Sequence, residues 1–387
     1  MIARTAFWIG AAAAALGLWT DHRSGLIPPR VAAERLSTTA LTATGMGAGD
    51  GATPLFAREF LDPIDAAPSV HAATVTMLAG GDLLAAWFAG TREGASDVAI
   101  YLARWDRSTG RWGRPWKWLD AASAGRQLGR HVKKLGNPVL HRDIGGRLWA
   151  YFVTVSLGGW SGSSISVKWS DDEGASWSQA RRLITSPLLN VSTLVRCPPI
   201  DLQDGGVLLP TYHELATKYS QLTRLDASGR VVGHQRMGVA GGALQPALYA
   251  ESALVLHALH RRSSKAPPSI LLNSSNDGGQ TWTAVRPGAL PNPNSSVAVV
   301  RRHSGDGAVL AYNPSTDNRR QLALAISEPA SQAWRRLTSL PESPEGMESS
   351  YPTLIRGRPG EYHLVYTYER RRICHLRFDD AWLERWR

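Results

Sequence analysis

The side chains of this sequence that could do chemistry are arginines, carboxylates and tyrosines, not metal ligands or an activated serine or cysteine. The eleven histidines are scattered, with no His-Glu-x-x-His or Cys-x-x-Cys spacing to hold a metal. Neither a Gly-x-Ser-x-Gly elbow nor a Walker loop is present. His131, His141 and His234 read as surface or loop residues. The chain carries 43 Lys and Arg against 32 Asp and Glu, a formal charge of +11, and Lys stands only at Lys117, Lys133, Lys134, Lys168, Lys218 and Lys265. The basic excess is therefore arginine, whose planar fork binds carboxylate or phosphate through two parallel hydrogen bonds. An anionic partner would use that fork, although a solvated, arginine-biased surface explains the total charge more simply. Nucleic acid is not expected as a partner, because there is no basic helix and no dense basic run beyond Arg370-Arg371-Arg372.

Such side chains act together only if distant segments converge, and a repeated octet indicates how. Ser170-Asp171-Asp172-Glu173-Gly174-Ala175-Ser176-Trp177 and Ser275-Asn276-Asp277-Gly278-Gly279-Gln280-Thr281-Trp282 both read Ser-x-Asp-x-Gly-x-[Ser/Thr]-Trp. Asp and Ser side chains that bond nearby N–H groups, with Gly free to take positive φ, predict a tight hairpin turn. The Trp then folds back between neighbouring sheets, where its N–H needs a partner. Apolar strands recur around these octets at 82–87, 147–152, 207–212, 253–258, 308–312 and 362–366, a period of roughly fifty residues. Runs at 98–103, 164–169 and 322–327 fit as third strands. Six such units predict an all-β, six-bladed β-propeller over residues 51–387. A closed ring protects the sheet edges that the alternative, a β-sandwich, leaves open.

Ahead of it, Arg4 and the apolar run 5–19 read as a secretory signal or an uncleaved anchor, short for a membrane span. A linker follows to about residue 50. Export to the periplasm or beyond is expected, with membrane contact confined to this segment, and the protein is expected to be a monomer. Cys197 and Cys374, the two cysteines, fit either a disulfide or two buried thiols.

The octet is the Asp-box. Together with Trp87-Phe88-Ala89-Gly90-Thr91-Arg92-Glu93-Gly94 and Asp97, Gly136-Asn137-Pro138-Val139-Leu140, and Ser349-Ser350-Tyr351-Pro352-Thr353-Leu354, it makes the chain resemble the sialidase (exo-α-neuraminidase) superfamily. The resemblance spans roughly residues 68–378 and lies with the bacterial Asp-box repeat branch. It implies an exo-acting, retaining glycosidase that needs no cofactor or metal and removes terminal sialic acid, or a related carboxylate-bearing sugar, from a sialoglycan. It implies Asp97, on a mobile loop, as acid/base with a carboxyl pKa raised in water-poor surroundings. Tyr351 is implied as nucleophile, a neutral phenol suiting an anomeric carbon that already bears a carboxylate. Arg261 and Arg319 match two of the family's three carboxylate-gripping arginines, with Arg262 and Arg320 as register alternatives. Arg92 matches an additional basic residue, Tyr212 a substrate contact, and Asn137 stands with them in the binding set. Two positions depart from the pattern. The family's first arginine is replaced by His71, which brings charge only as imidazolium. The glutamate that polarises the tyrosine is replaced by Gln245, which can orient a phenol but cannot take its proton, and Glu214 is the candidate substitute. These departures leave open a non-catalytic propeller that binds acidic glycans or envelope partners. Taken alone, Asp97 also fits a turn cap, Tyr351 a buried strand tyrosine and Glu214 a solvated strand end.

Overall fold

A computed structural model describes residues 36–37 and 53–386, apart from 187–189, 216, 239–240, 265–267, 306 and 328–332. The run 5–19 and most of the linker lie outside the described residues. The six recurring apolar strands become the second strands of six antiparallel sheets of four or five strands. Leu83–Gly90 and Leu148–Val155 are buried along their whole length, as happens where both faces of a sheet are covered. Here each face is covered by the next sheet around a ring. The fold is a six-bladed β-propeller.

The innermost strands line the axis: Ser69–Met77, Lys134–Arg142, Thr193–Val195 with Ile200–Asp201, Ala243–Ala250, Ala298–Arg301 and Ser349–Arg356. They belong to blades one to six in that order. The ring closes by strand exchange between the two ends of the fold. Phe56–Phe60 forms the outer strand of the sixth blade, antiparallel to Arg372–Asp379, from Phe56 opposite Phe378 to Phe60 opposite Cys374. The core is correspondingly divided into apolar clusters at the seams between blades, such as Val139, Tyr151, Leu194 and Leu209 between the second and third. Both cysteines are buried free thiols.

The two Asp-boxes fold alike. Ser170 Oγ accepts from the Gly174 N–H at 2.8 Å and donates to Asp172 Oδ1 at 2.7 Å, while Asp172 accepts from the Ser176 N–H at 2.8 Å. Ser275, Asp277, Gly279 and Thr281 repeat the network at 2.9, 2.7 and 2.9 Å. Positive φ falls on Glu173 and Gly174, and on Gly278 and Gly279. Trp282 donates its N–H to the Gly279 carbonyl at 3.0 Å, whereas the Trp177 N–H is buried with no partner among the described residues. Its ring packs instead on Trp118, 4.9 Å between centroids, at the seam of blades one and two. Of the histidines read as surface or loop residues, His234 is exposed on the strand Val231–Arg236, whereas His141 is in an innermost strand, partly buried, and bonds Asp201 at 2.8 Å.

Candidate active site

One local distortion, repeated, builds the mouth of the channel. In blades one, two, four and six the ladder between the first two strands slips between His71 and Thr74, Gly136 and Val139, Leu244 and Ala247, and Ser350 and Thr353. Each slip is a β-bulge, two residues facing one, which bends the strand and re-aims a side chain. Its first residue has positive φ in every case: Ala72 at 54°, Asn137 at 42°, Gln245 at 49° and Tyr351 at 53°. Its second residue is Pro138, Pro246 or Pro352 in three of the four, a proline placed where no ladder N–H is needed. Three of the four re-aimed side chains are polar, and they meet. Asn137 Nδ2 and Gln245 Nε2 both donate to Tyr212 Oη, at 3.2 and 3.3 Å, and Gln245 Oε1 accepts from Arg261 Nη1 at 3.2 Å. The same Arg261 Nη1 donates to Tyr351 Oη at 2.8 Å.

Tyr351 is 8 % exposed and sits under guanidiniums. The Arg196, Arg261 and Arg319 carbons lie 5.5, 6.0 and 5.7 Å from its ring centre. Burial pushes the phenol up, but Arg261 and Arg319 overcome this and hold it below the ordinary tyrosine range. Asn294, itself at φ 56°, spaces those two arginines. Its side-chain oxygen accepts from Arg261 Nε at 2.7 Å and its carbonyl accepts from Arg319 Nη2 at 2.6 Å. Arg262 and Arg320 turn elsewhere, to Ser264 and to the Ser343 carbonyl. Arg196 is 1 % exposed and reaches across the channel from the third blade. It donates to the carbonyls of Ala73, Tyr351 and Pro352 and to Thr353 Oγ1, at 3.2, 2.7, 3.1 and 3.2 Å.

His71 packs on the Tyr351 ring with centroids 4.2 Å apart. It is 2 % exposed, and burial, with Arg370 and three further arginines around it, holds the imidazole well below its ordinary range. It is therefore neutral and adds no charge to the mouth. Asp97 lies in the loop between the second and third strands of blade one. Val98 and Ala95 of that loop pack against Tyr351 and Ala72, so the nucleophile and acid/base candidates share one end of the molecule. The water-poor surroundings expected for Asp97 are not found. Its carboxyl is exposed, accepting from the Thr91 N–H at 2.8 Å and from Thr91 Oγ1 at 3.1 Å. Arg92 is exposed and makes no hydrogen bond or ion pair through its side chain among the described residues. Glu214 is half-buried beyond Tyr212. Burial first, and then the Glu214 charge, push the Tyr212 phenol up.

Four residues of the mouth carry no sequence motif: Arg196, Asn294, Glu348 and Arg370. Arg370 Nη1 meets Glu93 at 2.6 Å and its Nε lies 2.8 Å from Glu348, whose other oxygen is 3.6 Å from Arg319. The assembled mouth is a buried phenol ringed by guanidiniums with an exposed carboxyl at its rim. That arrangement can hold a small anion against a nucleophilic oxygen. Among the described residues no group of three or more His, Cys, Asp or Glu is placed to hold a metal.

A family model described as BNR repeat-like domain matches residues 81–364. No curated protein sequence matches the chain. Among solved structures the chain is similar to the intramolecular trans-sialidase from Ruminococcus gnavus, at 14 % identity and TM-score 0.68, covering 84 % of this chain and 97 % of that one. It is similar to the Hadza microbial sialidase Hz136, at 16 % identity and TM-score 0.67, covering 82 % and 67 %. A protein of unknown function from Dyadobacter fermentans is as close in shape, at 12 % identity and TM-score 0.67, covering 83 % and 97 %. At these identities the structural matches speak for the fold, and the matched repeats for the lineage: the chain belongs to the BNR repeat-like family and has the sialidase fold.

Proposed function

We propose that the protein is an exo-acting, retaining glycosidase that removes terminal sialic acid or a related carboxylate-bearing sugar. The observation that carries this reading is Tyr351: a bulky residue held at positive φ, buried beneath arginines, with its phenol bonded to a guanidinium. Left-handed backbone at such a residue costs about 1–3 kcal/mol and persists only where its surroundings impose it, a pattern concentrated at functional sites. In the proposed reaction Arg261 and Arg319 take the sugar carboxylate through bidentate bonds. The Tyr351 oxygen attacks the anomeric carbon while Asp97 protonates the departing glycosidic oxygen, and Asp97 then deprotonates the water that releases the sugar. Gln245 orients Arg261 and Tyr212. The two guanidiniums favour the phenolate, so Tyr351 gives up its proton to solvent before it attacks, and no neighbouring carboxylate is needed to take it. The exposed setting of Asp97 is supplied with a dry environment only when a substrate covers it. Export of the enzyme, through the run 5–19, belongs to the same proposal.

The test is hydrolysis of a fluorogenic sialoside by purified protein. Tyr351→Phe is expected to abolish it, and Asp97→Ala to slow it about 10²–10⁴-fold. Saturable binding of sialic acid with no turnover by the unmodified protein would assign the propeller to glycan binding instead.

A further inference from the structure

The innermost strand of the first blade contributes a buried, neutral His71 to the mouth, so any positive charge beside that strand comes from elsewhere. It comes from the hairpin between Glu361–Tyr368 and Arg372–Asp379. The Arg371 N–H donates to the Tyr368 carbonyl at 3.1 Å, closing a turn whose central residues, Glu369 and Arg370, both have φ of 54°. Turns of this hand are the province of Gly and Asn, and neither is present. The strained conformation is held from outside: Glu369 N–H donates to the Glu348 carbonyl at 2.7 Å, and Val70 N–H donates to the Arg370 carbonyl at 2.8 Å. The effect is to aim Arg370 over the seam of blades six and one, toward His71.

The polar atoms gathered there are incompletely satisfied. Both ring nitrogens of His71 and Glu348 Oε1 are buried with no hydrogen-bond partner among the described residues. The 2.8 Å approach of Arg370 Nε to Glu348 Oε1 is thus an ion pair whose N–H is not aimed at the oxygen. His71 Nδ1 stands 3.7 Å from the same oxygen. Orphaned buried polar atoms are rare, and each asks for a missing partner. Guanidinium, imidazole and carboxylate lie beside Arg319, which Glu348 also touches at 3.6 Å. From Arg261 through Asn294, Arg319 and Glu348 to Arg370 the groups form one arc around Tyr351.

We propose that Arg370, from the strained hairpin of the sixth blade, is the third cation that grips the substrate carboxylate, with His71 as a neutral hydrogen-bonding partner beside it. This rests on the proposed function, since it names a further binding residue of that site. Glu93 and Glu348 hold Arg370 in place until the ligand shares it.

The experiment is calorimetric titration of the full chain with the 2,3-didehydro analogue of N-acetylneuraminic acid and, separately, with its methyl ester. Arg370→Met is expected to weaken the acid about ten- to a hundredfold and to leave the ester within about twofold, so that the selectivity ratio falls. A purely structural role would weaken both alike or neither, and either result overturns the proposal while leaving the functional reading standing. Should Arg370→Met fail to fold, Arg370→Lys keeps the charge but not the fork, and a smaller loss confined to the acid is expected. An unchanged acid-to-ester ratio in that variant overturns the proposal as well. If the unmodified protein binds neither acid nor ester, both the proposal and the functional reading fall.

Discussion

Asn294 spaces two arginines from different blades, and its left-handed backbone presents side chain and carbonyl to the same side. Replacing it with Ala removes the bond to Arg261 Nε. The expected outcome in steady-state kinetics is a rise in KM for an acidic sugar of about tenfold, with a smaller fall in kcat and a loss of about 1 kcal/mol of stability, because Ala tolerates a φ of 56° less well than Asn. The phenol of Tyr351 gives a second check. Burial raises it and the arginines more than reverse the effect, so one of the ten tyrosines should ionise below the ordinary range in an ultraviolet titration. That step should vanish in Tyr351→Phe and move upward in Arg319→Met. Asp97, Tyr351, Arg261 and Arg319 were legible because each lies in or beside a recognisable segment. Glu348, Arg370, Asn294 and Arg196 were not, since each sits in a turn or short connection whose neighbours are fixed only by closure of the ring. Arg370, for example, meets Glu93, 277 positions away.

The recurring bulge is the element that turns strands into a site. Asn137-Pro138, Gln245-Pro246 and Tyr351-Pro352 do signal it in the sequence, because a proline inside a central strand requires an interruption of the ladder. Ala72-Ala73 bears no such mark, and its bulge is held by bonds to Thr367 and Thr353 of the sixth blade and to Arg196 of the third. The Asp-boxes, by contrast, were readable down to the hydrogen bonds of their Ser and Asp side chains, although the Trp177 N–H lacks the partner expected for it. They lie far from the mouth, so their role is confined to stability. Asp277→Ala removes a carboxylate that accepts from the Thr281 N–H and from the Ser275 and Thr281 hydroxyls. It should lower stability by about 1–3 kcal/mol in urea unfolding, with catalytic constants unaltered. In the first box, hydrogen bonds from Ser176 hold the Asp172 carboxyl down to about 2. Its contribution is therefore complete above the ordinary carboxylate range and lost as the pH falls through about 2.

Across the whole molecule, closure by Phe56–Phe60 ties the sixth blade, which carries both Tyr351 and Arg370, to the chain's earlier end. Acid should loosen this ring before it protonates the carboxylates. Burial holds His213 and His260 down to about 4 and His363 to about 3, and holds His71 and His375 well below the ordinary value. An unfolded chain takes up these protons below about pH 6.5, where the folded one does not. Stability therefore falls by about 1.4 kcal/mol per pH unit for each such histidine. Urea midpoints should change little from pH 7.5 to 7 and fall ever more steeply below about pH 6.5, and a profile flat down to pH 5.5 would contradict the assignment. Arg196 has a different consequence. A guanidinium stretched from the third blade to the carbonyls of the first and sixth is a crossbar in the bore. Whatever is admitted at the rim meets a floor and has to depart by the way it entered. For the proposed glycosidase such a cup leaves no path along which a polymer could be threaded; only its outermost unit would be dipped in.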